Sequence, residues 1–508
     1  MKHTANAQAT ADYCASHPEM ASRQFGSTGL TVSQAGFGCY RIDPRVEEHH
    51  LALRQALTSG VNLIDTSSNY GDGGSETLVG MVLEKLFAEG ALSRDQVVVV
   101  TKAGYLQGSN YVESQERKNQ GRPWPELVEY APNLEHCIHP EFLASQLIAS
   151  LDRLCLDAVD AYLLHNPEYY LGWAARQGKA LDQARDEFYR RMEAAFRHLE
   201  EEVAAGRISF YGVSSNTFPA PEDYEEFVSL DRLWQIAQQI SPDHHFRVIE
   251  LPLNLMEAGA AAEINQPEGK CVLDYAHERS LGVLSNRPLN ALGPDGLFRL
   301  AMSGVADEPL APERIVEIIN ELLKSEDIIK MNLLPNLRLS QEEGHQVAEF
   351  LGAAGPLLRS WQDLSGLEHW RQMEQYLTSR LNAAFAFLAR SLAESPEGLA
   401  ALDAHLSKAK SALEAVLLHY QVLADVKARD VFKRTREIDP EWAEVASLSR
   451  LAVRAPRSTQ GVSCVLVGMR RREYVSDIAA ELAFPIKAAP RGEAWGALTQ
   501  LAFADQED

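Results

Sequence analysis

Asp65 closes a short apolar run, Tyr70 follows it in the glycine-rich stretch NYGDGGSE, Lys102 ends VVVVTKAG, and His165 ends AYLLHNPE. A carboxylate, a phenol, an ammonium and an imidazole on successive apolar runs compose a proton-transfer set. A tyrosine with a pKa of ~10 is a poor acid at neutral pH unless a cation stabilises its phenolate. Lys102 can be that cation, Asp65 can keep the lysine charged and oriented, and His165 can hydrogen-bond a substrate oxygen, which makes an acid site for a carbonyl. Taken singly, each has a plainer use: Asp65 as a turn residue, Tyr70 as loop packing, Lys102 as a rim charge, His165 as a satisfied core histidine. Their convergence on consecutive strand ends singles them out.

The elements that must position them recur in a regular alternation. Short strand-like runs (VSQAGFG, NLIDTSS, VVVVTKAG, DAYLLHNP, SFYGVSSN, VIELPLNL, GVLSNRPL and SCVLVGMR) are each followed by a helix-period segment. That alternation implies parallel strands with crossover helices, and near-continuous Val, Ile and Leu implies strands buried on both faces. The runs fit an α/β fold, a closed (β/α)8 TIM barrel, whose chemistry lies at the C-terminal strand ends. An open doubly wound sheet is the rival, but no G-x-G-x-x-G turn follows the first run.

STGLTVSQAGFGCYRI, NLIDTSSNYGDGGSETLVG, VVVVTKAG, SLDRLCLDAVDAYLLHNPE, GRISFYGVSSN and CVLVGMRRREYVSDI stand in this order along the chain. In this the sequence resembles the aldo-keto reductases, as a divergent member. The resemblance implies that Asp65, Tyr70, Lys102 and His165 match the family's catalytic tetrad. It implies hydride transfer between a nicotinamide cofactor and a small aldehyde, ketone or sugar, with Tyr70 as general acid/base and no metal.

The same resemblance carries over cofactor positions, with departures. Cys39 and Tyr40 fall in the first shared stretch. Ser214 matches a contact to the nicotinamide carboxamide, where Ser215 replaces the usual asparagine unless Asn216 takes over. Glu250 stands where many members place a glutamine, and a carboxylate accepts from an amide but cannot donate. Its structural alternative is a rim residue paired with Arg247 or Arg287. The usual aromatic-Ser-Pro-Leu reads Asn286, Arg287, Pro288, Leu289, with Arg287 in reach of the pyrophosphate. Gly468 opens a helix whose amides and arginines suit a phosphate, and Arg470, Tyr474 and Asp477 match positions around the adenosine end. NADP is the expected cofactor, NAD the alternative.

Length, charge and composition set the outer limits. The 508 residues carry a net charge of -23, which disfavours nucleic acid and anionic membranes as partners. Six scattered cysteines without a C-x-x-C pair fit a reducing compartment and a cytoplasmic location. No run approaches the roughly 18 apolar residues of a membrane helix. HCIHP (136–140) and DHH (243–245) lack closed zinc spacing, so loop and cap roles are expected. Residues 1–20 read as a flexible tail, and 21–293 with 440–508 as the barrel. A helical insert covers 294–439, where Leu399, Leu402, Leu406, Ala409, Leu413, Val416, Tyr420 and Leu423 form a seam and 367–392 can supply its partner. The stretch from about Tyr105 to Glu135 reads as a long irregular loop. The insert leaves the barrel on the tetrad face and is expected to restrict the active site. A cofactor-binding regulatory protein that holds a partner through this insert is the competing function; oligomeric state stays open.

Overall fold

The computed structural model describes residues 4–293, 296–302, 304 and 308–504. Each expected run contains a strand: Ala35–Gly38 (β1), Leu63–Asp65 (β2), Val98–Ala103 (β3), Val159–His165 (β4), Ile208–Ser214 (β5), Phe246–Pro252 (β6), Gly282–Asn286 (β7) and Cys464–Val467 (β8). The strands pair in parallel in chain order, and β8 closes on β1 through Val467 opposite Phe37. The fold is a closed (β/α)8 barrel with an inserted helical unit.

Side-chain alternation along the strands builds the interior. Leu63, Val100, Leu163, Val248, Leu284 and Leu466 share one apolar cluster. Burying a side chain of this size contributes about 1.5–3 kcal/mol. Two positions further along five of these strands come Asp65, Lys102, His165, Glu250 and Asn286, so one period-two register that packs the core also sets a polar layer above it. The other end is stopped by the hairpin of Ser22–Gln24 with Thr31–Ser33, whose Phe25, Leu30 and Val32 join the same cluster. Gly282, at the start of β7, admits the Phe25 ring: a Cβ there would lie 2.6 Å from it.

Two expectations are corrected. The supposed tail folds as a helix, Ala7–Ala15, capped by Asn6. It is docked, because Tyr13 Oη donates to the Leu57 carbonyl at 2.6 Å and the Ala5 N–H donates to Asp160 Oδ1 at 2.7 Å. The supposed irregular loop after β3 holds a helix, Gly108–Asn119, and a three-stranded antiparallel sheet of Tyr105–Leu106, Leu134–His136 and Val128–Ala131. Its Gly, Asn and Gln content hides tertiary support: Ser114 Oγ donates to the buried Glu135 at 2.5 Å, and the Arg117 guanidinium lies 3.6 Å from the Trp124 ring centre.

The chain divides into two compact units, Met1–Ala291 with Thr435–Asp508, and Leu292–Arg434. Pro294, expected to open the insert, lies outside the described residues. Asp439 caps the short helix Pro440–Ala443 and pairs with Arg491, which places it in the barrel unit. The second unit is helical and has its own core, with Ile319, Trp361, Trp370 and Leu377 packed with Leu413 and Val416. The helix Pro396–Arg436 starts at the expected serine-proline pair, and Leu367–Ser391 precedes it. The seam drifts along so long a helix: Leu402, Ala409, Leu413, Val416 and Tyr420 are buried, whereas Leu423 is exposed. Among the described residues no helix is long and apolar enough to cross a membrane.

Candidate active site

β2 delivers Asp65 and β3 delivers Lys102 into the polar layer. Lys102 Nζ lies 2.6 Å from Asp65 Oδ1 and 3.5 Å from the Tyr70 hydroxyl. Tyr70 reaches back because its loop stays tied to β3, with the Thr66 and Ser68 N–H groups donating to the carbonyls of Val100 and Lys102. The chain then reverses through Gly71 and Gly73 at φ 59° and 83°, backbone that glycine adopts without strain. His165, at the end of β4, sets its ring edge-on to Tyr70 with centres 5.8 Å apart. All four tetrad residues expected from the sequence therefore converge.

Electrostatics refine their roles. Burial works against the charge on Lys102, but Asp65 and Glu250 outweigh it and hold the amine well above its ordinary pKa. Burial, then the charge of Glu250, push the Asp65 carboxyl up to about 8. Burial also raises Tyr70, against the pull of Lys102. The phenol therefore stays protonated, with a cation beside the oxygen that would carry the charge. Burial and then Lys102 drive His165 well below 6.5, so the imidazole is neutral.

The structure also brings in residues that motif reasoning missed. Ser67 Oγ lies 3.0 Å from His165 Nδ1. Asn286, named above only as standing in the aromatic's place, donates Nδ2 to Glu250 Oε1 at 2.8 Å. Glu168, three residues past His165, is buried, accepts from the Asn216 N–H at 2.8 Å, and has its carboxyl pushed up to about 7 by that burial.

The expected cofactor positions divide. Cys39 is buried and its N–H donates to the Asp65 carbonyl at 2.9 Å, while exposed Tyr40 sets its ring edge-on to Tyr70. Ser214 pairs in register with both His165 and Glu250, and Ser215 Oγ is held by Thr217. Glu250 is no rim residue: it pairs with Lys102 at 3.1 Å, while Arg247 meets His244 and Arg287 meets Glu257. Arg287, expected to reach a pyrophosphate, is therefore already engaged.

At the end of β8, Gly468 leads to the helix Arg472–Leu482. Its first amide, on Arg472, donates to Glu48 Oε1 at 2.9 Å, so part of the expected phosphate site is capped. Asp477 pairs with Arg450 at 2.7 Å, while Arg471 lies over the half-exposed Tyr474 ring. Among the described residues no cluster of three His, Cys, Asp or Glu is placed to hold a metal ion. His139 caps the helix Pro140–Leu154, and His245 pairs with Glu200.

The aldo/keto reductase family model matches residues 36–233, which include Asp65, Tyr70, Lys102 and His165. Over that stretch the chain resembles the aldo/keto reductases. Among curated relatives, the NADH-specific methylglyoxal reductase of Escherichia coli is 32% identical over 151 residues, covering 28% of this chain and 40% of that protein. The 6-dehydroglucose reductase of Novosphingobium aromaticivorans is 26% identical over 231 residues, or 44% of this chain and 60% of that protein. The chain thus spans roughly half the length of the curated relatives it matches. A solved aldo/keto reductase from Klebsiella pneumoniae, in complex with NADP and acetate, aligns over 94% of both chains at 15% identity and a TM-score of 0.42.

Proposed function

We propose that this chain is an aldo/keto reductase, a nicotinamide-dependent oxidoreductase acting on a small carbonyl or its alcohol, an aldehyde, ketone or sugar. The observation that carries this reading is the buried Asp65, Lys102, Tyr70 chain, with Nζ 2.6 Å from the carboxylate and 3.5 Å from the phenol. A bound nicotinamide would supply or accept the hydride. Tyr70 gives its proton to the substrate oxygen, and Lys102 stabilises the tyrosinate left behind. With Nδ1 engaged by Ser67, His165 Nε2 is the ring atom left to bond that oxygen.

The polar layer suits the nicotinamide end. Asn286 Oδ1 is a buried acceptor without a hydrogen-bond donor, Glu250 Oε2 faces only the Lys102 ammonium at 3.1 Å, and a carboxamide presents two N–H groups. At the other end, Arg470 and Arg471 support a preference for NADP through charge-assisted bonds to a 2′-phosphate. The test is NADPH and NADH consumption against a panel of aldehydes, ketones and sugars. Turnover abolished by Tyr70→Phe is the expected result; no turnover with any member of the panel sinks the reading.

A further inference from the structure

Lys102 is flanked by two carboxylates. Nζ lies 2.6 Å from Asp65 Oδ1 on one side and 3.1 Å from Glu250 Oε2 on the other, and all three side chains are buried. The two carboxyl groups thus converge on the same ammonium from β2 and β6. Asp65 Oδ1 and Glu250 Oε2 are buried with no donor in hydrogen-bonding geometry. Two ionised carboxylates against one ammonium would leave a net negative charge in this layer, and facing carboxylates cannot both ionise cheaply.

The neighbours do not supply the missing positive charge. From β4, His165 is held neutral; from the loop after β2, Tyr70 stays protonated. From the end of β1 and from β8, burial keeps the Cys39 and Cys464 thiols protonated. From β7, Asn286 donates to Glu250 but carries no charge. Arg247 and Arg287 face His244 and Glu257.

We propose that Asp65 and Glu250 share one proton beside Lys102, and that Glu250 is a positioning residue that sets the charge of the lysine cluster and through it the readiness of Tyr70 to give up its proton. The catalytic consequence rests on the oxidoreductase reading above. While the pair keeps its proton, one carboxylate balances one ammonium, and Lys102 stabilises the tyrosinate. When the pair releases that proton to solvent, the cluster becomes net negative and opposes tyrosinate formation. Reduction therefore falls in the alkaline range, and the apparent pKa belongs to the pair rather than to Tyr70.

Difference infrared spectroscopy of the full chain, titrated without substrate, reads the carbonyl stretch of a protonated carboxyl group. The wild type should show that band at pH 7 and lose it on alkaline titration. Glu168 also contributes to that band around pH 7, so the pair is read in a Glu168→Gln background; there Glu250→Gln should abolish the band, because Asp65 alone beside Lys102 ionises, whereas Glu250→Asp should keep it. In turnover, Glu250→Gln should move the alkaline limb of kcat/KM for carbonyl reduction upward by roughly one pH unit or more. No band in the Glu168→Gln background, or a band and a limb both unchanged in Glu250→Gln, overturns the proposal. If Glu250→Gln does not fold, the Glu168→Gln titration and the Glu250→Asp band decide it. Because the band needs no substrate, failure to reduce any carbonyl counts against the oxidoreductase reading and leaves the proton-sharing result standing.

Discussion

Ser67 Oγ sits 3.0 Å from Nδ1 of His165, and when it donates its single proton there, Nε2 carries the N–H that a substrate oxygen accepts. One hydroxyl on the loop after β2 therefore sets the tautomer of the imidazole on β4. A neutral histidine has two tautomers, and the partner of one nitrogen selects which face is offered by the other. Ser67→Ala removes that selection. A lost hydrogen bond is worth about 1 kcal/mol, so kcat/KM should drop roughly fivefold while cofactor affinity holds. Steady-state kinetics alongside a fluorescence titration checks this; unchanged kcat/KM would show that Ser67 does not orient the ring.

Tyr70→Phe keeps the ring packed between Tyr40 and His165 and deletes only the hydroxyl. Turnover should fall by about 100-fold or more, the scale of a lost general acid, with little change in cofactor binding. Near-normal turnover would reassign the proton donor.

Glu168 gives a stability prediction. Burial raises its folded pKa from 4.5 to about 7. The folded protein then binds more protons than the unfolded chain between these values, so stability is full below about pH 4.5 and is lost as pH rises through 7. The loss is at most about 3 kcal/mol for this one group. Glu168→Gln should flatten that part of the curve in urea unfolding series run from pH 4.5 to 8. A difference between variant and wild type that does not change with pH would contradict the assignment.

The docked N-terminal helix predicts a cost for Tyr13→Phe. Its hydroxyl donates to the Leu57 carbonyl and accepts from the Gly60 N–H at 3.2 Å, with the ring itself buried. Stranding both backbone groups should cost about 1–3 kcal/mol, visible as a lowered Tm. A free tail would show no change.

The proposed preference for NADP makes Arg470 its test. Arg470→Ala should weaken NADPH more than NADH in fluorescence titrations, by the roughly tenfold expected for a lost charge-assisted bond. Equal losses for both cofactors would mean that Arg470 reads the pyrophosphate or nothing.

Much of this was legible in the linear chain. Eight apolar runs spaced by helix-period segments point to parallel strands covered on both faces, and their number with the missing G-x-G-x-x-G turn favours the closed barrel over an open sheet. Asp65, Lys102 and His165 were legible for the same reason: each is the last polar residue of a buried run, and period two carries it onto the inner face. Tyr70 needed its glycines as well. The helix at 7–15 and the helix and sheet at 105–136 were not legible, since their hydrogen bonds and aromatic contacts come from segments distant in sequence. Which partner each charge would choose also lay beyond the chain. Glu250 could equally have met Arg247 or Arg287 by its type; it meets Lys102 because the β6 register points it inward, while His244 and Glu257 hold those arginines. Residue type and periodicity are local properties that sequence displays, but pairing of charge in a buried layer depends on distances between strands, and only the closed barrel sets those.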